Sequence, residues 1–461
     1  MAPASSVSRL CDPGDNGVVT QLPRRAIVRS AKLATLPLGV AGRAALGAGK
    51  RLGGKPAEAV TAELQARTAE QLFTVLGELK GGAMKVGQAL SVLEAAMPEE
   101  LAGPYRATLT KLQDSAPSLP TATVHEVLTR ELGTRWRTKF ALFEDQPTAA
   151  ASVGQVHHAI WKDGREVAVK IQYPGAGDAL VGDFRRLSQA TRALASWIPG
   201  LDLGPVLAEL VARVQEELDY ELEADRQRRF GDAFEGDPHV FVPAVVHQRG
   251  AVIITEWMGG TPLSRIIAEG SDAERSQAAT RYLEFLVAGP QRARLLHADP
   301  HPGNFRLLDD GRLGVLDFGA VAPLPQGLPG AIGRLVSLAL RGEAEPLLDG
   351  LRTEGFVLPS QDLDPDRVLR LVSPFLEALR LPTYTFRRAW LREVTTALQD
   401  PRGEQWRTGI RMNLPPEYLL IHRVWAGGIG VLCQLEGAVP ARRILDEWLP
   451  EADFPAPEPA V

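Results

Sequence analysis

Two short stretches hold the residues best suited to chemistry. His297-Ala298-Asp299-Pro300-His301-Pro302-Gly303-Asn304 is followed by Leu316-Asp317-Phe318-Gly319, so Asn304 comes five residues after Asp299 and Asp317 comes eighteen after it. A carboxylate at Asp299 can orient an attacking hydroxyl or accept its proton. The amide oxygen of Asn304 and the carboxylate of Asp317 are hard donors, suited to magnesium carrying phosphates. Upstream, Val167-Ala168-Val169-Lys170 reads as a strand in which alternation sends Val167 and Val169 to one face and Ala168 and Lys170 to the other. A lysine so placed can reach phosphate oxygens. Taken singly it would be an ordinary solvated lysine; with both downstream loops it joins a set suited to magnesium-bound phosphates.

The elements that must hold this set can be traced from periodicity. Thr121 to Gly133 carries helix start and stop signals. Lys139 to Glu144, Val153 to Ile160 and Glu166 to Gln172 read as strands, with a hairpin turn at Asp163-Gly164. Helical stretches follow at about Asp178 to Trp197 and Val206 to Phe234, then strands at Phe241 to His247 and Ala251 to Glu256. Beyond Thr261 the chain reads as mostly helical. The exceptions are the apolar runs Phe305 to Leu308 and Leu313 to Leu316, which flank Asp309-Asp310-Gly311. The fold class is α+β: a two-lobed body with an N-terminal helical extension and a predominantly helical C-lobe.

Composition limits the rest. The 461 residues exceed one compact core, and their net charge of -5 supplies no positive field for nucleic acid. Cys11 and Cys433, far apart, exclude a disulfide framework or a cysteine-rich zinc module. The apolar window Leu419 to Leu435 is interrupted by His422 and Arg423, which argues against a spanning helix. Gln21 to Lys55 holds eight basic residues and no acid, a composition suited to a leader or to peripheral contact with an anionic membrane. The expected domains are a flexible basic arm (1–56), a helical extension (57–118), an N-lobe with inserted helices (119–260), a helical C-lobe (261–450) and a disordered tail (451–461).

The spacing of Lys170, Asp299, Asn304 and Asp317 resembles the lysine strand, catalytic loop and metal loop of protein kinases. Further motifs make the resemblance specific. Lys85-Val86-Gly87-Gln88, the Ala-rich run Ala149, Ala150, Ala151, Ser152, Val153, Gly154 and Gln155, and Glu217-Leu218-Asp219 with Glu223 look like the AarF/UbiB family of atypical protein-kinase-like proteins. The match runs from about Lys80 to Ala322. It implies that Glu223 pairs with Lys170, that the Ala-rich loop covers the nucleotide, and that ADP is bound well relative to ATP. It also implies that Lys85, Gly87 and Gln88, facing Glu217 and Asp219, gate the pocket where a protein kinase takes its peptide.

A small-molecule or lipid-related substrate follows from that resemblance, in a setting of isoprenoid quinone or membrane-lipid metabolism. The expected location is cytoplasmic, peripheral at the inner membrane face. Glu256-Trp257-Met258-Gly259 sits where an interlobe hinge would bind adenine, or is a plain strand end. Ala320 to Gly330 offers no hydroxyl for loop phosphorylation. Two alternatives remain: a small-molecule kinase of the aminoglycoside or choline type, which lacks the Lys85-to-Gln88 helix, and a nucleotide-binding pseudokinase scaffold.

Overall fold

A computed structural model describes residues 118–151, 154–175, 216, 218–400 and 402–456. The chain divides into two compact units, Met1–Ser118 with Tyr173–Gln215, and Leu119–Gln172 with Glu216–Val461. Nearly all described residues belong to the second unit. The basic arm, nearly all of the helical extension and the segment from 178 to 197 lie outside the described residues.

The N-lobe is built on β1 (Phe140–Phe143), β2 (Ala149–Ala151), β3 (Gly154–Trp161), β4 (Glu166–Gln172), β6 (Val245–Arg249) and β7 (Val252–Glu256). The sheet runs β1-β3-β4-β7-β6, antiparallel throughout, with β2 folded back on β3. Alternation decides its faces. Val167, Val169 and Ile171 of β4 are wholly buried with Ala159 and Ile254, beside the nearly buried Trp161, and helix α1 (Thr121–Leu132) lays Val124, Val127 and Leu128 on them. Lys170 therefore projects from the opposite face. Gly164 turns the β3–β4 hairpin at a φ of 92°, where glycine is favoured.

Helix α2 (Tyr220–Ala233) begins where the Asp219 carboxylate accepts the Leu222 N–H at 2.9 Å, and Glu221 and Glu223 place charge in its first turn. The strand expected over 241–247 divides. Its start, β5 (Val240–Phe241), pairs in parallel with β11 (Leu313–Val315) of the C-lobe, while β6 stays in the N-lobe sheet. Pro243, which has no N–H to give a ladder, lies between them.

The C-lobe contains β8 (Thr261–Pro262), α3 (Leu263–Glu269), α4 (Asp272–Ala293), β9 (Leu295–His297), β10 (Phe305–Leu307), β11 and β12 (Val321–Pro323). Helices α5 (Gly330–Leu340), α6 (Ala344–Thr353), α7 (Pro365–Arg380), α8 (Arg388–Gln399), α9 (Glu404–Gly409), α10 (Pro416–Leu435) and α11 (Ala441–Trp448) follow. A Ser271–Glu274 capping box starts α4. The β10–β11 hairpin turns at Asp309-Asp310-Gly311 as the sequence predicts, with Gly311 at a φ of 84°.

Among the described residues α10 alone is long and apolar enough to cross a membrane by length and composition. Here it contributes Ile421, Val424, Val431, Leu432 and Leu435 to the C-lobe core, with His422 and Arg423 exposed. The disordered tail expected from 451 is corrected over 451–456. Arg334 pairs with Glu451, the Asp453 N–H donates to Ser337 Oγ at 2.9 Å, and Arg442 donates to the Pro455 carbonyl. Composition hid these anchors because they lie on α5 and α11.

Candidate active site

Lys170 is the centre of the site. Its Nζ lies 2.7 Å from Glu223 Oε1 and 3.4 Å from Asp317 Oδ2, and 5.2 Å from the centre of the Tyr220 ring. Burial opposes the ammonium charge, but the carboxylates of Asp317 and Glu223 outweigh it and hold the lysine well above its ordinary range. Burial raises Glu223 above its ordinary range, and Lys170 offsets only part of that rise. The 2.7 Å contact has the length of a charge-assisted hydrogen bond. The pairing with Glu223 is the one the resemblance implies.

The two loops are fixed by their own backbone. Asn304 Nδ2 donates to the Asp299 carbonyl at 3.2 Å, so its amide oxygen is the end that could bind a metal. The His301 N–H lies 3.4 Å from Asp299 Oδ1, and the Gly319 N–H donates to Asp317 Oδ1 at 2.9 Å. His297, at 3% exposure, donates from Nε2 to the Asp317 carbonyl at 2.7 Å. Desolvation holds its pKa down, against the pull of Asp299 and Asp317. Phe230, Phe285, Phe305 and Phe318 surround it.

Tyr282 of α4 supports the catalytic loop from beneath, its hydroxyl donating to the Pro300 carbonyl at 2.6 Å. Helix α10 supports it too: a Cβ on Gly427 would come within 2.8 Å of Pro300 Cγ. Beyond Asp317-Phe318-Gly319 the chain returns as β12, antiparallel to β9.

Other predicted residues are placed differently. Gln155 shares the core face with His157 and Ala159, the side of the sheet away from Lys170. It is 1% exposed; Oε1 accepts the Leu119 N–H at 2.7 Å and Nε2 meets His157 Nε2 at 2.8 Å. Its side chain is corrected from nucleotide contact to anchoring, because β3 alternates. Ala149, Ala150 and Ala151 form β2, a strand where a loop was expected. Gly154 follows in β3, where a Cβ would stand 2.3 Å from the Ile171 carbonyl oxygen. Ser152 and Val153 lie outside the described residues.

Glu256 ends β7 with Oε2 accepting the Ala244 N–H at 3.1 Å, and the Met258 side chain is buried against Gly314. Only their backbone is left to serve as a hinge. Asp219 is a helix cap, while Lys85, Gly87, Gln88 and Glu217 lie outside the described residues. Sequence reasoning missed two positions. Val156 pairs with Lys170, so it joins Ala168 on the lysine's face of the sheet, as alternation alone could have shown. Arg306 donates to the Gly259 carbonyl at 2.8 Å and to that of Gly260 at 2.6 Å, fixing the interlobe turn.

A family model, that of the ABC1 atypical kinase-like domain, matches residues 111–346, just over half the chain. The chain belongs to this family. As an ABC1, or AarF/UbiB, atypical kinase-like protein it has curated relatives of the same kind. Atypical kinase COQ8B, mitochondrial, of Danio rerio is 32% identical over 266 residues, 57% of this chain and 42% of that protein. Atypical kinase COQ8, mitochondrial, of Saccharomyces cerevisiae is 30% identical over 317 residues, 66% of this chain and 62% of that one. The chain spans about half the length of the first curated relatives it matches. A solved structure, the complex of Rv3197 with erythromycin from Mycobacterium tuberculosis, covers 87% of this chain and 100% of its own at 44% identity, with a TM-score of 0.68.

The donor chemistry fits the magnesium nucleotide that a kinase-like family implies. Among the described residues no group of three or more His, Cys, Asp or Glu is arranged to hold a metal. An ion at Asn304 and Asp317 would therefore complete its shell with phosphate oxygens and water, the usual arrangement for magnesium.

Proposed function

We propose that the chain is an ATP-dependent phosphotransferase or ATPase that acts on a small-molecule or lipid-related substrate in isoprenoid quinone or membrane-lipid metabolism. The convergence of Lys170 on Glu223 and Asp317 carries this reading, because it brings a phosphate-binding cation to a magnesium-binding carboxylate. Bound Mg-ATP would supply the electrophilic γ-phosphoryl group. Lys170, oriented by Glu223, would hold the α- and β-phosphates. Val156 and Ala168 would pack the base, and the hinge backbone at Glu256 to Met258 would bind its edge. Asn304 and Asp317 would hold the magnesium. Asp299 would orient the acceptor hydroxyl, or water, and take up its proton.

The COQ8 relatives support the quinone setting. The erythromycin complex of Rv3197 supports a bulky small molecule in place of a peptide. The basic stretch 21–55 suits contact with an anionic membrane, at the cytoplasmic side of the inner membrane, and the Lys85-to-Gln88 motif would gate access to the pocket.

The test begins with nucleotide affinity. Purified protein should bind Mg-ADP and Mg-ATP, and Asp317→Asn should weaken binding by at least about tenfold. Unchanged affinity would remove Asp317 from the site. Phosphate release is then measured with and without anionic liposomes and quinone precursors. Turnover that rises with either supports the enzyme reading; absence of turnover in every condition selects the nucleotide-binding scaffold.

A further inference from the structure

Helix α2 reaches the site with more than Glu223. Three residues along the same face, Arg226 is buried at 7% exposure, and its guanidinium spans two partners. Nη1 donates to the Gly319 carbonyl at 2.8 Å, and Nη2 meets Glu216 Oε2 at 3.2 Å. One turn further, Phe230 packs on Phe318 with ring centroids 5.2 Å apart. Positions 223, 226 and 230 form one stripe of the helix. That stripe touches the lysine, the glycine carbonyl and the phenylalanine of the site in turn.

Gly319 is thereby fixed at both ends. Its N–H holds Asp317 Oδ1, and its carbonyl is held by Arg226. The residue after it is also tied, since the Ala298 N–H donates to the Ala320 carbonyl at 2.8 Å. A guanidinium stays charged, so burying it is tolerable only with partners such as this carbonyl and Glu216.

We propose that Arg226 is a positioning residue that locks the Asp317-Phe318-Gly319 loop to helix α2, so that the Asp317 carboxylate is held in register with a Lys170–Glu223 pair that forms without it. Protein kinases commonly order this region by pairing an arginine with a phosphorylated loop residue. Here the arginine comes from the helix and its partner is a backbone carbonyl. The segment 320–330 has no Ser, Thr or Tyr. The loop is thus set without a covalent switch.

Hydrogen exchange on the nucleotide-free full chain tests the lock directly. Arg226→Met should raise exchange across Asp317 to Ala320 by about tenfold or more, with the β3–β4 amides unchanged and Arg226→Lys intermediate. Unchanged exchange in a folded Arg226→Met protein overturns the proposal. So does an equal rise everywhere, which would make Arg226 a general stabiliser.

A second readout rests on the nucleotide reading above. In Arg226→Met the magnesium concentration for half-maximal binding of a fluorescent ADP analogue should rise about tenfold, with magnesium-free affinity unchanged. A fall in magnesium-free affinity of the same size would overturn the role assigned here. If wild-type protein binds no nucleotide, the proposed function fails and the exchange measurement alone decides on Arg226.

Discussion

Lys170 is the last lysine in the chain; from 171 to 461 every cation of that class is arginine. Its ammonium balances Glu223, which is 4% exposed. Removing one member of such a pair strands the other in a poorly solvated position. Lys170→Met should therefore cost about 3 kcal/mol at pH 7 in urea unfolding. Burial raises the stranded carboxyl above its unfolded value, so protonation relieves the variant as pH falls. The deficit against wild type should shrink at pH 5, and equal deficits at both values would show that Glu223 carries no charge there. Asp299→Asn should lower turnover about 100- to 10,000-fold while nucleotide affinity stays within about twofold. A joint loss of both would make Asp299 a binding residue.

At the scale of elements, contact between α10 and the catalytic loop offers a cleaner test than any charged residue. The extra methyl of Gly427→Ala would press on Pro300, whose carbonyl takes the Tyr282 hydroxyl. Turnover should fall about tenfold or more with nucleotide affinity intact, since misplacement acts on the attacking group and leaves the phosphates alone. Wild-type turnover would show that the loop absorbs the methyl. Elements with local signals were legible beforehand. Alternation set the face of Lys170, Asp163-Gly164 set the hairpin, and Thr121 to Gly133 set α1 within one residue. The candidate catalytic and metal loops stood out because of their five- and eighteen-residue spacings, and the structure brings Asp317 to Lys170. What escaped depended on distant partners. Phe241 leaves its expected strand because β11, about seventy residues later, offers an edge. Gln155, within an expected strand, was read as a nucleotide contact because the burial of its side chain depends on Leu119 and His157.

For the whole molecule, buried histidines tie stability to acidity. Desolvation lowers the pKa of both His297 and His157 below the ordinary 6.5. The unfolded chain then binds more protons than the folded one in the range below that value, so stability rises with pH through it and falls on acidification. The urea midpoint should drop as pH goes below 6.5. His297→Gln, which can keep a donor for the Asp317 carbonyl, should flatten this slope without removing it, because His157 remains. An unaltered slope would exclude His297 as a contributor.

The largest core joins Phe230 of α2 to Leu449 beyond α11, and draws on every C-lobe strand from β9 to β12 between them. A ribosome delivers the chain from the other end. The apolar sides of α2 and α4 must wait in water until α11, more than two hundred residues beyond α2, has been made. During that interval chaperone capture and self-association compete with folding, and the emergence of α11 decides when it ends.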